Sequence, residues 1–211
     1  MEHLIKKVEQ VKDIDAIFVI TNNKFYDVFN DWLSGFKSGK KIEIINDNTT
    51  SNEDRLGSLG DVNFVIRQEK IKDDILIVAG DNLFEFSINE FIEWIKHTDK
   101  SAVVLYDVND RELAKQYGIV ETDRDNKMID FEEKPIKPKS TLASTGVYFY
   151  PAHVLPMLQN YVNKYKNSDK AGNFLEWLHK NEDVYCYITQ KRWIDIGSLD
   201  QLEKARKEFR A

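Results

Sequence analysis

The sequence lacks several features that would place it in a specialised class of protein. Its 211 residues include a single cysteine, Cys186, which excludes an intrachain disulfide and a cysteine metal cluster. No apolar run is long enough to span a membrane. The net charge of −6 argues against nucleic acid as a partner, because phosphate binding needs a basic surface. The amino end is charged and amphipathic, unlike a signal peptide, so we expect a cytoplasmic protein without a membrane partner.

The composition is that of a soluble globular domain. Hydrophobic residues make up 42% and charged residues 31% of the chain, and both fractions are ordinary for a folded protein. The four tryptophans, nine tyrosines and twelve phenylalanines exceed what a disordered chain carries. Cys186 alternates with Val184 and Ile188 in a strand pattern, which predicts a buried thiol.

The first half of the chain alternates apolar runs with amphipathic helical segments. The apolar runs are residues 16–20, 42–45, 75–79 and 102–106. One helical segment is expected to bury a face made of Phe25, Val28, Phe29, Trp32 and Leu33. Another opens with a capping-box pattern at Ser87 and Glu90. This order is typical of a parallel, doubly wound sheet.

The second half changes to an antiparallel pattern. Residues 117–121 and 128–132 flank an Asp-Arg-Asp-Asn turn, which predicts a hairpin. Two further strands are expected at residues 146–150 and 184–188. A second capping-box pattern, at Ser198 and Gln201, predicts a final helix. We therefore expect one α/β domain over residues 1–211, with a mainly parallel sheet and a small antiparallel extension.

One carboxylate directly follows the most apolar of these runs. Residues 75–79 end at Gly80, and Asp81 and Asn82 come next. An unbroken run of apolar residues, most of them branched, is typical of a strand covered on both faces. Ligands of open α/β sheets bind outside the carboxyl ends of the strands. Asp81 therefore stands where chemistry is expected. The alternative is that Gly80, Asp81 and Asn82 only turn the chain.

In the second half of the chain, two charged residues directly precede a proline. Glu133 and Lys134 precede Pro135, which cannot donate to a strand ladder and so ends the strand. A lysine in this place can hold a phosphate as a point charge, and a carboxylate beside it can accept hydrogen bonds from sugar hydroxyls. The alternative is a solvated charge pair in a loop.

A second lone carboxylate, Asp195, lies in the apolar segment Trp-Ile-Asp-Ile-Gly. Burying it without a cation or hydrogen bonds is costly. Asp195 could cap the final helix or satisfy buried amides. It could instead meet Asp81 across the sheet and hold one divalent ion, since Mg²⁺ is bound by one or two carboxylates plus substrate phosphates.

Two glycines lie in strand-like segments, Gly118 after Tyr117 and Gly146 after Thr145. Glycine allows the backbone to approach a ligand closely. The alternative for both positions is a bulge or a tight bend.

Taken together and in this order, the patterns resemble one family, the sugar-1-phosphate nucleotidyltransferases of the glucose-1-phosphate thymidylyltransferase type. The similar motifs are Gly-Asp-Asn at 80–82, Tyr-Gly-Ile-Val-Glu at 117–121, Glu-Glu-Lys-Pro at 132–135, Thr-Gly-Val-Tyr-Phe-Tyr at 145–150 and Trp-Ile-Asp-Ile-Gly-Ser at 193–198. The resemblance covers the whole chain, and several motifs in one order form a specific signal although none is specific singly.

The resemblance implies a nucleotide-diphospho-sugar transferase fold, which is Rossmann-like, and Mg²⁺ as the cofactor. Asp81 and Asp195 would hold the ion, and Lys134 would join them in the catalytic set. The residues that would bind the substrate are Asn82, Gly118, Glu133 and Gly146.

The segment that would read the nucleotide base departs from the family's pattern. Residues 53–58, which include Arg55 and Gly57, replace the Leu-Ala-Gln of the thymidylyltransferases. The sequence therefore does not predict which nucleotide base is bound. Arg55 is a candidate phosphate or base contact, and the alternative for it is a solvent-facing helix residue.

The family's Gly-x-Gly-Thr-Arg loop and the Pro-Lys-Pro that follows it are absent from the sequence. The resemblance places residues 2–6 just after that loop, so we expect a chain that is incomplete for catalysis at its amino end. The strand before the loop lies, in the family, between the strands that residues 17–20 and 75–79 resemble. We therefore expect a slot in the sheet, a compensating rearrangement, a partner strand or a further segment upstream of Met1 there, because unpaired buried backbone is costly.

Three functions are compatible with these observations. The first is a nucleotidyltransferase acting on a nucleoside triphosphate and a sugar-1-phosphate or similar phosphate monoester. Such an enzyme could assemble as a homo-oligomer. The second is a catalytically silent relative that binds a nucleotide-sugar. The third is a glycosyltransferase of similar fold, but such enzymes normally carry Asp-x-Asp at a strand end, and residues 80–83 offer one carboxylate.

Overall fold

The structure is a computed structural model of the chain that describes residues 1–165 and 170–209. Its helices are α1 (Glu2–Glu9), α2 (Tyr26–Gly35), α3 (Gly57–Gln68), α4 (Ile88–Ile95), α5 (Arg111–Ala114), α6 (Leu155–Lys164), α7 (Ala171–Leu178) and α8 (Leu199–Glu208). Its strands are β1 (Ala16–Thr21), β2 (Lys41–Asn46), β3 (Ile75–Val78), β4 (Asn82–Phe84), β5 (Ser101–Asp107), β6 (Gly118–Thr122), β7 (Met128–Glu133), β8 (Leu142–Tyr150), β9 (Val184–Thr189) and β10 (Trp193–Asp195). Within the described ranges, each helix is too short or too polar to cross a membrane.

The central sheet contains six strands and is organised around β8. One edge of β8 pairs with β5, and its opposite edge is shared by β3 and β6. Strands β3, β5 and β9 run in one direction, whereas β8 runs antiparallel between β3 and β5. The β6–β7 hairpin extends the sheet at one side. The predicted fold class is confirmed, and β8 and the edge strand β7 run opposite to the other four strands.

Alternate residues of β5 pack into two apolar clusters, one on each face of the sheet. Val103 and Leu105 face a cluster built with α3, α6 and α7, and Ala102 and Val104 face a cluster built with α1 and α4. Side chains of a strand alternate between faces, so a strand covered on both sides has an unbroken apolar sequence. Cys186 of β9 is fully buried, as predicted, and burial raises the pKa of its thiol to about 12.

At both predicted capping boxes the serine caps its helix. The hydroxyl of Ser87 accepts a hydrogen bond from the Glu90 backbone N–H at 3.2 Å, and the hydroxyl of Ser198 accepts one from Gln201 at the same distance. Each bond satisfies a backbone donor that the first helical turn leaves unpaired. Because Ser198 caps α8, Asp195 is not needed as its cap.

Strands β1 and β2 stand apart from the central sheet. They pair in parallel with each other, and within the described residues neither pairs with β3. All residues of β1 and β3 are only half-buried, so β3 is less covered than its apolar sequence predicts. Ile17 and Val78 nevertheless pack against the same apolar cluster. Side-chain packing therefore joins the two strands, whereas no backbone ladder between them is present in the described residues.

Helix α2 departs from the burial that its spacing predicts. None of the side chains on its apolar face is buried, and Val28 is 63% exposed. The helix packs on β2, and a separate two-stranded sheet offers too little surface to cover an aromatic face of this width. The prediction of an inward face was wrong here because it assumed a wider sheet beside α2.

One carboxylate of α3 is held in an unfavourable environment. The Oδ1 atom of Asp61 is buried, and within the described chain it has no hydrogen-bond partner. Burial, and then the negative charge of Asp47, raise the pKa of the Asp61 carboxyl to about 6. Asp47 itself accepts hydrogen bonds from the backbone N–H and the hydroxyl of Thr49. The charged form of Asp61 therefore opposes folding.

We predict that Asp61→Asn raises the free energy of unfolding above pH 6 and changes it little near pH 4. The folded pKa of about 6 exceeds the ordinary 3.8, so the folded state binds the proton more tightly and stability falls as the pH rises between these values. The gain above pH 6 is at most about 3 kcal/mol, and solvent screening of a partly exposed group reduces it.

Urea denaturation of wild type and Asp61→Asn, across this pH range, measures the difference. Asp31→Asn, which alters an exposed aspartate of α2, is the matched control. An equal stabilisation at every pH would contradict the raised pKa.

Candidate active site

A short antiparallel ribbon brings the two predicted metal ligands together. Strands β4 and β10 have three residues each, too few for periodicity to reveal them, and they pair with Asn82 opposite Asp195. The backbone N–H of Ile196 donates to the carbonyl of Asp81 at 2.8 Å. Asp81 therefore lies opposite Ile196, one residue along the ribbon from Asp195, and its charge acts on the Asp195 carboxylate.

The charge environment of Asp195 shows which groups share the site. Burial and then the negative charge of Asp81 raise the pKa of the Asp195 carboxyl, whereas the positive charge of Lys134 lowers it. The three groups thus lie within electrostatic reach of one another. Burial and the charge of Asp195 also raise the pKa of Tyr117. The pair of carboxylates carries excess negative charge, which a bound cation would offset.

Lys134 directly follows strand β7 and has a strained backbone conformation. Its φ is +49°, in the left-handed region, and its backbone N–H donates to the Tyr117 carbonyl at 3.0 Å. Such a conformation is uncommon for a residue other than glycine, and strain of this kind concentrates at functional sites. The side chain is exposed, and its charge reaches Asp195.

The Glu133 carboxylate occupies a niche between two glycines. A Cβ added at Gly118 would lie 3.1 Å from Glu133 Oε2 and 2.6 Å from the Phe131 ring. A Cβ added at Gly172 would lie 3.2 Å and 3.0 Å from the same groups. The Lys170 Nζ donates to Glu133 Oε1 at 3.1 Å. Both glycines are therefore required to leave room for Phe131 and Glu133.

Sequence reasoning missed Lys170 and Gly172, which reach this niche from the start of α7. A glycine inside a helical pattern was the available signal, since it costs helix stability unless packing requires it. Nothing in the sequence showed that α7 would lie beside β6 and β7.

Tyr148 was also missed, and it connects the two halves of the site. Its side chain is buried, and its hydroxyl oxygen accepts a hydrogen bond from Ser144 at 3.3 Å. Burial raises the pKa of this phenol, and the negative charges of Glu133 and Asp81 raise it further. The Tyr148 hydroxyl is therefore within electrostatic range of both carboxylates.

Gly146 lies where β8 passes the end of β3. Its φ is +75°, and an added Cβ would lie 2.8 Å from Ala79 Cβ and 3.3 Å from Asn82 Nδ2. Its carbonyl accepts the Ala79 N–H at 2.9 Å. Glycine is thus required here by packing against protein atoms.

The segment expected to read the base lies beside the Glu133 niche. Gly57 opens α3 with a φ of +74°, and the exposed Arg55 precedes the helix. The hydroxyl of Ser58 accepts the backbone N–H of Ala171 at 3.1 Å, which joins the start of α3 to the start of α7. This contact places Arg55 and Gly57 near Lys170.

The donor set of Asp81 and Asp195 fits a divalent cation that prefers oxygen. Within the described residues, no group of three or more His, Cys, Asp or Glu side chains is placed to hold a metal. Two adjacent carboxylates with excess negative charge suit Mg²⁺, which takes its other ligands from water and substrate phosphates.

The whole chain, residues 1–211, matches the model of the nucleotidyl transferase family. The chain belongs to the nucleotidyl transferase family. The order and spacing of the site motifs agree with this membership.

Two solved structures resemble this nucleotidyl transferase chain. One is a Bacillus anthracis protein assigned as a glucose-1-phosphate thymidylyltransferase, in complex with sucrose, with a TM-score of 0.80 and 23% identity over 100% of this chain and 83% of its own. The other is HddC from Yersinia pseudotuberculosis, with a TM-score of 0.70 and 20% identity over 98% of this chain and 85% of its own. At this identity the likeness establishes the fold, and the predicted nucleotide-diphospho-sugar transferase fold is confirmed.

We predict that Gly146→Ala destabilises the protein by roughly 2–4 kcal/mol, because a left-handed alanine is strained and its Cβ overlaps Ala79. Gly80→Ala is the matched control, since an added Cβ there meets nothing within 4 Å, and we expect a change below about 1 kcal/mol. Thermal and urea denaturation measure both. Equal effects at the two positions would show that Gly146 is not constrained by packing.

Proposed function

We propose that this member of the nucleotidyl transferase family transfers a nucleotidyl group from a nucleoside triphosphate to a sugar-1-phosphate or similar phosphate monoester. The products would be an NDP-linked metabolite and pyrophosphate. The observation that carries the proposal is the grouping of Asp81, Asp195 and Lys134 beside the Glu133 niche. The B. anthracis structure supports a hexose phosphate as the kind of acceptor.

The proposed chemistry relies on positioning and charge neutralisation. A phosphate monoester is already an anion near neutral pH, since its second pKa is about 6, so no general base is needed. Its oxygen attacks the α-phosphorus in line while the bond to pyrophosphate breaks. Mg²⁺ held by Asp81 and Asp195 would offset the negative charge of the phosphates.

Different residues of the site would bind different parts of the two substrates. Lys134, whose charge acts on Asp195, would hold the acceptor phosphate as a point charge. Glu133 would accept hydrogen bonds from sugar hydroxyls, with Gly118 keeping its niche open. Arg55 and Gly57 would contact the nucleotide from the start of α3.

The alternative function is that of a catalytically silent relative that binds a nucleotide-sugar. Transfer from a triphosphate needs backbone amides and cationic side chains converging on it. A relative that only binds a nucleotide-sugar would not need such a triphosphate site. The retained Asp81, Lys134 and Asp195 favour the enzyme over this alternative.

We expect the chain that begins at Met1 to release little pyrophosphate, and a version extended upstream by a strand and a Gly-x-Gly-Thr-Arg loop to release more. The measurement covers four nucleoside triphosphates against a panel of sugar phosphates. If the Met1 chain turns over at an ordinary rate, roughly 1–10³ per second, the loop is not required and its assignment is wrong. Nucleotide-sugar binding without pyrophosphate release by either version would favour the silent relative.

We predict that Lys134→Ala weakens sugar-phosphate binding roughly ten- to a hundredfold, the loss expected for one charged hydrogen bond, with a small effect on thermal stability. Lys137→Ala changes another exposed lysine three positions along the same loop and is the control. Isothermal titration with the sugar phosphate measures binding. A large loss of stability with unchanged binding would contradict the pocket role, and little change in either property would favour the solvated charge pair.

A further inference from the structure

The side chain of Asn82 connects the aromatic core to the exposed carboxylate of Asp81. Asn82 is 6% exposed. Its Nδ2 donates to Asp81 Oδ1 at 2.7 Å, and its Oδ1 accepts from the indole Nε1 of Trp193, also at 2.7 Å. Both ends of this amide are therefore bonded to protein partners, although the family resemblance places Asn82 among the substrate-binding residues.

The chemistry of the indole determines which way the amide faces. A tryptophan N–H can only donate, so the oxygen of Asn82 must face Trp193. The amide nitrogen must then face Asp81, where it donates to a carboxylate, which can only accept when ionised. The pair of hydrogen bonds thus has a single orientation.

Trp193 is itself held firmly by its neighbours. It is 8% exposed, and its ring packs edge-on against Tyr117 at 5.0 Å and tilted against Tyr106 at 6.0 Å between centroids. Aromatic contacts of this kind add to the free energy of burial. The indole is therefore a fixed point from which the Asn82 amide is oriented.

The space for the Asn82 amide depends on Gly146. A Cβ at that position would lie 3.3 Å from Asn82 Nδ2. In the part of the chain that the structure describes, Asp81 Oδ1 is bonded to Asn82 and its Oδ2 has no hydrogen-bond partner. One oxygen of Asp81 is thus held by the protein while the other stays available as a ligand.

We propose that Asn82 is a positioning residue, oriented by the Trp193 indole, that holds the Asp81 carboxylate for a divalent cation. The proposal rests on the metal site of the proposed function and deepens it. Groups that hydrogen-bond a ligating side chain from behind typically change metal affinity 10–100-fold. Asn82 would act through Asp81 and would not itself contact the ion.

The test measures Mn²⁺ binding by the whole chain without turnover, from the electron paramagnetic resonance signal of free Mn²⁺. We expect Asn82→Ala to weaken binding roughly 10–100-fold. Trp193→Phe keeps the ring and removes the N–H, so it should weaken binding less. The double variant should bind like Asn82→Ala alone, because Trp193 acts only through Asn82.

Trp94→Phe is the matched control, since Trp94 lies in a separate aromatic group with Phe91 and Tyr187 and should leave Mn²⁺ affinity unchanged. A second readout is hydrogen exchange of the Trp193 indole N–H, identified by its loss in Trp193→Phe. We expect slow exchange in the wild type and fast exchange in Asn82→Ala, with both proteins folded by circular dichroism. Slow exchange in both would overturn the hydrogen bond to Asn82.

The outcomes separate this proposal from the proposed function. Mn²⁺ affinity that falls in Asp81→Asn and is unchanged in a folded Asn82→Ala would overturn the positioning role and leave the metal site standing. Absence of Mn²⁺ binding by the wild type would overturn the metal assignment, and this proposal with it. A fall in melting temperature for Asn82→Ala with unchanged Mn²⁺ affinity would show a structural role only.

Discussion

The pairing of β4 with β10 is the contact on which the candidate site depends. It joins two segments whose hydrogen-bonded side chains, Trp193 and Asn82, are 111 residues apart in the chain. Only through this ribbon does Asp195 come beside Asp81. The ribbon consists of three residues on each side, and short ribbons are marginal alone, so its stability derives from the apolar cluster beneath it, to which Phe84 and Trp193 belong.

The same site carries an electrostatic cost that makes a ligand favourable. Burial and then the negative charge of Asp81 raise the pKa of the Asp195 carboxyl, and Lys134 acts as a partial counter-charge. Glu133 adds a third carboxylate, which Lys170 offsets by an ion pair. Cations and phosphate-bearing substrates would complete this balance, because a divalent ion offsets the acidic pair while the lysines accept phosphate. The ionised form of Asp195 therefore opposes folding, since both its burial and the charge of Asp81 disfavour it.

Sequence patterns predicted the local features well, and the long-range ones only through a family resemblance. Hydrophobic periodicity, helix capping and turn formation each depend on residues close together in the sequence. The β6–β7 hairpin and the caps at Ser87 and Ser198 were therefore correctly expected. The contributions of Lys170 and Tyr148 were missed, because they depend on which helix packs beside which strand. The burial of α2 was wrongly expected, because a helical period indicates an apolar face without indicating whether the sheet beside it is wide enough.

The sequence by itself determined the longer elements, the α/β class and the choice of Asp81, Glu133, Lys134 and Asp195 as candidate groups, since these follow from residue chemistry and short spacing. Only the tertiary structure decided that β8 runs antiparallel between β3 and β5, that β1 and β2 stand apart, and that Asn82 faces inward to Trp193. Each of these depends on contacts between distant segments, whose free energies come from shared burial and hydrogen bonding that no local pattern encodes.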